Sequence, residues 1–135
     1  MPLLDTHTIL WLDGGLPMTQ EALDAIEEAR PKGGVLVSPV SAWEIGTLVR
    51  KGRIVLDVDP VSWIHRFLGQ PGVRQVPLTV DAAAGSSFLP ESFHGDPADR
   101  MLVASARQLG VPMITRDRKI LEYAASTSAV RAIRC

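Results

Sequence analysis

Asp5, Glu44, Asp96, Asp99 and Asp117 are the residues whose types and positions suggest chemistry. Asp5 closes the short apolar run Leu3-Leu4, and Asp117 follows the apolar run that ends at Thr115. Asp96 and Asp99 open the most regular helical stretch, while Glu44 lies in the helix after Val35-Leu36-Val37. In a parallel α/β sheet such places lie at the carboxyl ends of strands, where ligands bind and helix N-termini point. Carboxylates crowded on one rim repel each other and take up protons unless a cation joins them. A hard divalent ion such as Mg2+ or Mn2+ prefers oxygen ligands. The chemistry it serves is phosphoryl transfer, with water as the nucleophile. Arg100, Arg116, Arg118 and Lys119 flank Asp99 and Asp117 and are candidates to hold neighbouring phosphates.

Taken singly, the acids have simpler roles. Asp96 and Asp99 suit a helix cap and first turn, and Asp5 and Asp117 can also cap helices. Glu44 is harder to dismiss, because it sits among Val40, Ala42, Trp43 and Ile45, where a lone carboxylate is costly to bury. It calls for a partner, and a surface ion pair with Arg50 or Lys51 is the weaker alternative. The set argues more strongly than its members.

The elements that must position these acids alternate along the chain. After Leu3-Leu4, Thr6-His7-Thr8 is placed to cap a helix through Ile9 to Leu12. Thr19 caps a second helix, with Ala22, Leu23 and Ile26 on one face, that ends before Pro31. Residues 35–38 read as a buried strand, 40–49 as a helix stopped at Gly52, and Asp59-Pro60 as the start of a third helix. Residues 73–78 read as a strand, 80–87 as a short helix and 89–95 as a loop. Asp96-Pro97 opens the helix that runs to Leu109, and residues 111–115, 117–125 and 129–133 read as strand, helix and strand. This alternation predicts one α/β domain over residues 1–135, with a mainly parallel sheet between helices.

Composition removes other classes. With 135 residues, 46% hydrophobic and 21% charged, the chain can bury a core and is not a disordered or low-complexity protein. Its one cysteine, Cys135, excludes an internal disulfide and a thiolate metal cage. No apolar run approaches the roughly 18 residues of a membrane span, and Asp5 stands where a signal peptide would be apolar, so a cytoplasmic protein without a membrane partner is expected. The net charge of −1 favours no polyanion by itself, but half of the fourteen basic side chains and only two of the fifteen acidic ones lie in residues 100–135. That asymmetry can steer phosphate toward one face.

Four segments in order carry a family resemblance: Leu3-Leu4-Asp5-Thr6-His7-Thr8-Ile9-Leu10-Trp11-Leu12, Ser38-Pro39-Val40-Ser41-Ala42-Trp43-Glu44-Ile45, His94-Gly95-Asp96-Pro97-Ala98-Asp99-Arg100-Met101-Leu102-Val103-Ala104 and Ile114-Thr115-Arg116-Asp117. On these segments, which span residues 3–117, the chain resembles the PIN-domain family, in particular the VapC-like toxin ribonucleases of bacterial toxin–antitoxin pairs. The resemblance implies a three-layer α/β/α domain. It implies metal-binding catalytic acids at Asp5, Glu44, Asp99 and Asp117, with Asp96 as a helper or alternative ligand. The activity implied is Mg2+- or Mn2+-dependent endonucleolytic cleavage of RNA by a homodimer that a small antitoxin silences. Many members have Asn where His7 stands, although a subgroup with the Asp-Thr-His pattern is also similar to this chain; a hydrogen-bonded structural role is expected for this histidine, with contact to a ligand as the alternative.

Other functions fit less well. A receiver-like signalling domain needs an acceptor Asp at a central strand end, and Val37-Ser38 offers none. A haloacid-dehalogenase-type phosphatase wants an Asp two residues after Asp5, where His7 stands. A catalytically inert PIN-like module that binds RNA or protein remains the alternative. Gly14-Gly15 and Gly33-Gly34 form no nucleotide cradle, and His7, His65 and His94 are not at zinc-site spacing. Asp57 and Asp59 are expected in a solvated turn, and Trp11, Trp43 and Trp63 in the core or at a dimer interface rather than as base-stacking platforms.

Overall fold

The computed structural model of the protein describes all 135 residues. Five short strands, β1 (Leu3–Leu4), β2 (Val35–Val37), β3 (Val73–Gln75), β4 (Met113–Thr115) and β5 (Ala132–Arg134), form one sheet in the order β3-β2-β1-β4-β5. Every pairing is parallel, with Leu3 opposite both Leu36 and Met113, and Ile114 opposite Ile133. The chain therefore winds outward from β1 through β2 and β3, then returns to add β4 and β5 on the other side. The reversal falls between β1 and β4, the crevice where open α/β sheets bind ligands.

Seven helices connect the strands: α1 (Thr6–Asp13), α2 (Gln20–Ala29), α3 (Pro39–Arg50), α4 (Pro60–Leu68), α5 (Val80–Gly85), α6 (Pro97–Leu109) and α7 (Arg118–Thr127). Side chains alternate across a strand, and the two faces of this sheet fill different cores. Leu4, Val35, Val37 and Ile114 pack with Ile9, Ile26, Ile45, Ile64 and Phe67 from α1 to α4. Leu3, Leu36 and Met113 pack with Leu102, Val103, Ala106, Ile120 and Tyr123 from α6 and α7. This is the three-layer α/β/α arrangement, with a wholly parallel sheet. No helix is long and apolar enough to cross a membrane.

Local chemistry accounts for the boundaries that differ from expectation. The first helix begins at Thr6, because Asp5 rather than the Thr6-His7-Thr8 segment is its N-cap. Ser38 ends β2 one residue early by capping α3 instead. β3 stops at Gln75; Val76 still donates to the Val37 carbonyl, but Pro77 has no N–H to continue the ladder. The last strand moves to Ala132–Arg134 because α7 runs on to Thr127 and closes on Ser128 in the left-handed region, φ 56°. Asp59 caps α4 through Ser62, and Asp57 makes an exposed two-point pair with Arg66 at 2.7 and 2.9 Å.

The tryptophans separate. Trp63 is buried and stacked on Phe67, with ring centroids 5.8 Å apart. Trp11 is half-buried beneath the Arg116 guanidinium, 3.5 Å from its ring centroid. Trp43 is 63% exposed, so a core role is wrong for it.

Candidate active site

Asp5 is the pivot of the site. It leaves the C-terminal end of β1, caps α1 and is buried. Its Oδ1 accepts from the Thr6 backbone N–H at 2.8 Å and its Oδ2 from the Thr115 hydroxyl at 2.6 Å. Thr115 lies at the end of the adjacent strand β4, and its Oγ1 also accepts from the Asp117 N–H at 2.9 Å. Asp117 in turn caps α7 by accepting from Ile120 N–H. One hydroxyl thus ties the acids of two neighbouring strands together across the crevice.

Glu44 and the Asp96/Asp99 pair enter from α3 and α6. Glu44 finds the partner its apolar surroundings require in Thr6, whose hydroxyl donates to Oε1 at 2.5 Å and lies 3.0 Å from Ser41 Oγ. Glu44 forms no ion pair with Arg50 or Lys51. Asp96 caps α6 by accepting from the Asp99 N–H at 2.8 Å, and Pro97 takes the first helical position, where no N–H is needed. The carboxylates of Glu44, Asp96 and Asp99 each place an oxygen within 4.8 Å of the others. Gly95, which is buried, lets the preceding loop pass against Phe93 and Asp99, since a Cβ there would stand 2.5 Å from the Phe93 ring.

The five acids feel one another. Burial first, then the charges of Asp96, Asp5, Asp117 and Glu44, push Asp99 up to about 8. Burial, with Asp5, Asp96 and Asp117 adding, pushes Glu44 up to about 7 against the pull of its Thr6 hydrogen bond. Burial also raises Asp5, although Thr115 and Thr6 resist. No lysine or arginine makes an ion pair with any of the five. The site is thus a concentration of carboxyl groups, built only of oxygen donors, that no basic side chain of the protein pairs. Its donor set fits a hard divalent cation.

The caps and the cluster are not rival explanations. Asp5, Asp96 and Asp117 each satisfy a helix N-terminus with one oxygen, and Asp99 sits in the first turn with no hydrogen bond to its carboxylate. Of the four cations expected near the site, Arg116 lies over Trp11 and Arg100 donates to the Gly95 carbonyl at 3.1 Å. Arg118 and Lys119 are exposed at the start of α7. His7 does not have the structural role expected of it: its ring is exposed and joins none of the site's hydrogen bonds, because the buried face of α1 is Thr6, Thr8 and Ile9. Thr6, Ser41 and Thr115 are residues to which sequence reasoning gave no part in the site, and each stands within three residues of an acid.

These pKa displacements predict a pH dependence of stability. Between the ordinary carboxylate values and about 7 to 8, the folded protein holds protons on Glu44 and Asp99 that the unfolded chain has released. Stability therefore falls as pH rises through that window. Melting the EDTA-treated protein at pH 5, 6.5 and 8 should show Tm declining with pH. Saturating Mg2+ or Mn2+ should remove the decline, because a bound cation favours the ionised acids. An equal Tm slope with and without metal would contradict the cluster as described.

A rim of convergent acids at the reversal point of a parallel α/β sheet, where such folds bind ligands, defines an α/β domain with a candidate cation site. The comparisons place it more narrowly. The PIN-domain family pattern matches residues 3–126, and the chain belongs to the PIN-domain family. It is 34% identical over 122 residues to the ribonuclease VapC22 of Mycobacterium tuberculosis, covering 90% of each chain. Its fold is similar to that in the structure of VapBC2 from Rickettsia felis bound to a promoter DNA fragment (TM-score 0.68, 11% identity, 98% of this chain and 96% of that one). It is also similar to that in the DNA-bound VapBC of Salmonella typhimurium (TM-score 0.68, 13% identity, 99% and 98%).

Proposed function

We infer that the protein is a divalent-metal-dependent endoribonuclease, the toxin of a toxin–antitoxin pair that acts in the cytoplasm. The observation that carries this is the uncompensated carboxylate cluster at the β1/β4 crevice, and the 34% identity to a VapC ribonuclease supports it. Asp5, Glu44, Asp99 and Asp117 would hold Mg2+ or Mn2+, with Asp96 as a helper. When bound, the ion supplies Lewis acidity that makes water a competent nucleophile and offsets charge on the phosphodiester.

The chain's own part is positioning. Thr6 and Thr115 fix Glu44 and Asp5 by hydrogen bonds, so the donor oxygens are arranged before substrate arrives. Asp99, which accepts nothing from the protein, keeps its lone pairs free. Arg100, Arg116, Arg118 and Lys119 would hold phosphates on either side of the cut bond, and the Trp11 ring limits where the Arg116 guanidinium can swing. A small antitoxin protein and a second copy of the chain are the partners that go with this reading.

The test is cleavage of a structured RNA by the purified chain. Internal cuts should appear with Mg2+ or Mn2+ and vanish with EDTA, and co-expression of the protein encoded beside it should suppress them. Intact RNA in the presence of either metal would leave the inert RNA- or protein-binding module instead. For the cations, Arg116→Ala is expected to weaken RNA binding uniformly across sequences. It should also flatten the salt dependence of log affinity by about one unit; an unchanged slope would remove Arg116 from the RNA track.

A further inference from the structure

A second group of side chains, on α3 and just beyond its C-terminal end, borders the carboxylates and has no role so far. A cavity of about 240 Å3 joins Glu44 and Asp96 of the cluster to Trp43, Thr47, Lys51 and Arg53. The Trp43 indole is 63% exposed, although a ring of that size ordinarily gains much from burial, as Trp63 does in the core. Lys51 and Arg53 are exposed and engaged in no ion pair. Lys51, the C-cap of α3, follows Glu44 by about two helical turns, about 10 Å along the axis, so it is set apart from that acid. The cavity is smaller than the roughly 300 Å3 at which drug-sized sites begin, and it suits one flat ring rather than a duplex.

An exposed aromatic face beside unpaired cations is the combination that binds single-stranded nucleic acid, the ring stacking on a base and the cations following the backbone. We propose that this cavity is a nucleotide subsite: a base next to the cleaved bond stacks on Trp43, and Lys51 and Arg53 hold its phosphate. Glu44 and Asp96 repel an unshielded phosphate, which sends that phosphate to the Lys51 and Arg53 end and leaves the base near Trp43. The subsite shares no residue with the set Arg100, Arg116, Arg118 and Lys119, so it would add a second grip on the RNA. This inference rests on the ribonuclease reading and adds where a single-stranded substrate is held.

Adenosine monophosphate, which has no phosphodiester bond to cut, tests the subsite apart from cleavage. It is expected to quench tryptophan fluorescence in the wild type, with the quenching lost in Trp43→Phe. Its affinity should fall about tenfold in the Lys51→Ala/Arg53→Ala double variant, and ribose 5-phosphate should not quench. On a single-stranded RNA decamer, Trp43→Ala should raise KM about tenfold. Quenching through Trp43 in a protein that cleaves no RNA would keep the subsite and discard the nuclease reading. RNA cleavage with an unchanged KM in Trp43→Ala, and no quenching by the nucleotide, would overturn the subsite and keep the nuclease. So would finding that Trp43→Ala only splits a dimer, since the ring would then belong to a face between copies.

Discussion

Asp99→Asn is expected to lower RNA cleavage by about three orders of magnitude, equivalent to about 4 kcal/mol of transition-state stabilisation. The substitution keeps the size and shape of the side chain, and α6 keeps its cap, because that hydrogen bond runs from the Asp99 backbone N–H to Asp96 Oδ1. What disappears is one ionisable group from a cluster in which Asp5, Glu44, Asp96 and Asp117 all press on it. Removing it relieves repulsion, so the metal-free variant should melt higher than the metal-free wild type at pH 8, while binding Mn2+ more weakly. Loss of activity together with a gain in metal-free stability is a signature that a merely structural acid would not give. Single-turnover cleavage with excess Mn2+ and paired melts with EDTA read both. Full cleavage by both Asp99→Asn and Asp5→Asn would remove the acids from the chemistry altogether.

Part of this was legible from residues alone, for local reasons. The Asp-Pro pairs at 59–60 and 96–97 mark helix starts because proline at the first helical position has its φ already set and no N–H to waste. The acids were legible because each sits at a strand or helix boundary, where a polar side chain in an apolar setting needs a reason. Other features depend on distance in sequence. The Thr115 hydroxyl meets Asp5 across 110 residues, and only the pairing of β1 with β4 brings them together. Strand order has no local signature, so the crevice between β1 and β4 was invisible. Trp43 could have been placed. Ile45 is two residues on, about 200° around the helix, so the two cannot share the core face, and the buried set Val40, Ser41 and Ile45 takes it. His7 fails in the same way, turned outward between the buried Thr6 and Thr8.

The second large effect is on folding, and it reaches the site through β2. Gly34→Ala is expected to destabilise the protein by about 3–5 kcal/mol, which for a domain of this size lowers Tm by more than about 10 °C. Two independent causes converge. Gly34 has φ +88°, in the region where a side chain is strained, and a Cβ there would stand 2.1 Å from the Gly72 carbonyl oxygen. That oxygen cannot move away cheaply, because it accepts the Val35 N–H at 2.8 Å where β3 joins β2. Gly34 N–H is also committed, donating to Ala29 O at 2.7 Å as the chain leaves α2. Relief would have to shift β2 or β3, and β2 leads directly into Ser38, the cap of α3, and beyond it Glu44. Whatever fraction of Gly34→Ala still folds should therefore bind Mn2+ more weakly than wild type, although Gly34 touches no acid. Gly15→Ala is the control: its φ is also positive, at +66°, but nothing lies within 4 Å of its Cβ, so it should cost only the local backbone strain, about 1 kcal/mol. Equal losses at the two glycines would mean that conformation, and not the close crossing at Gly72, sets the cost.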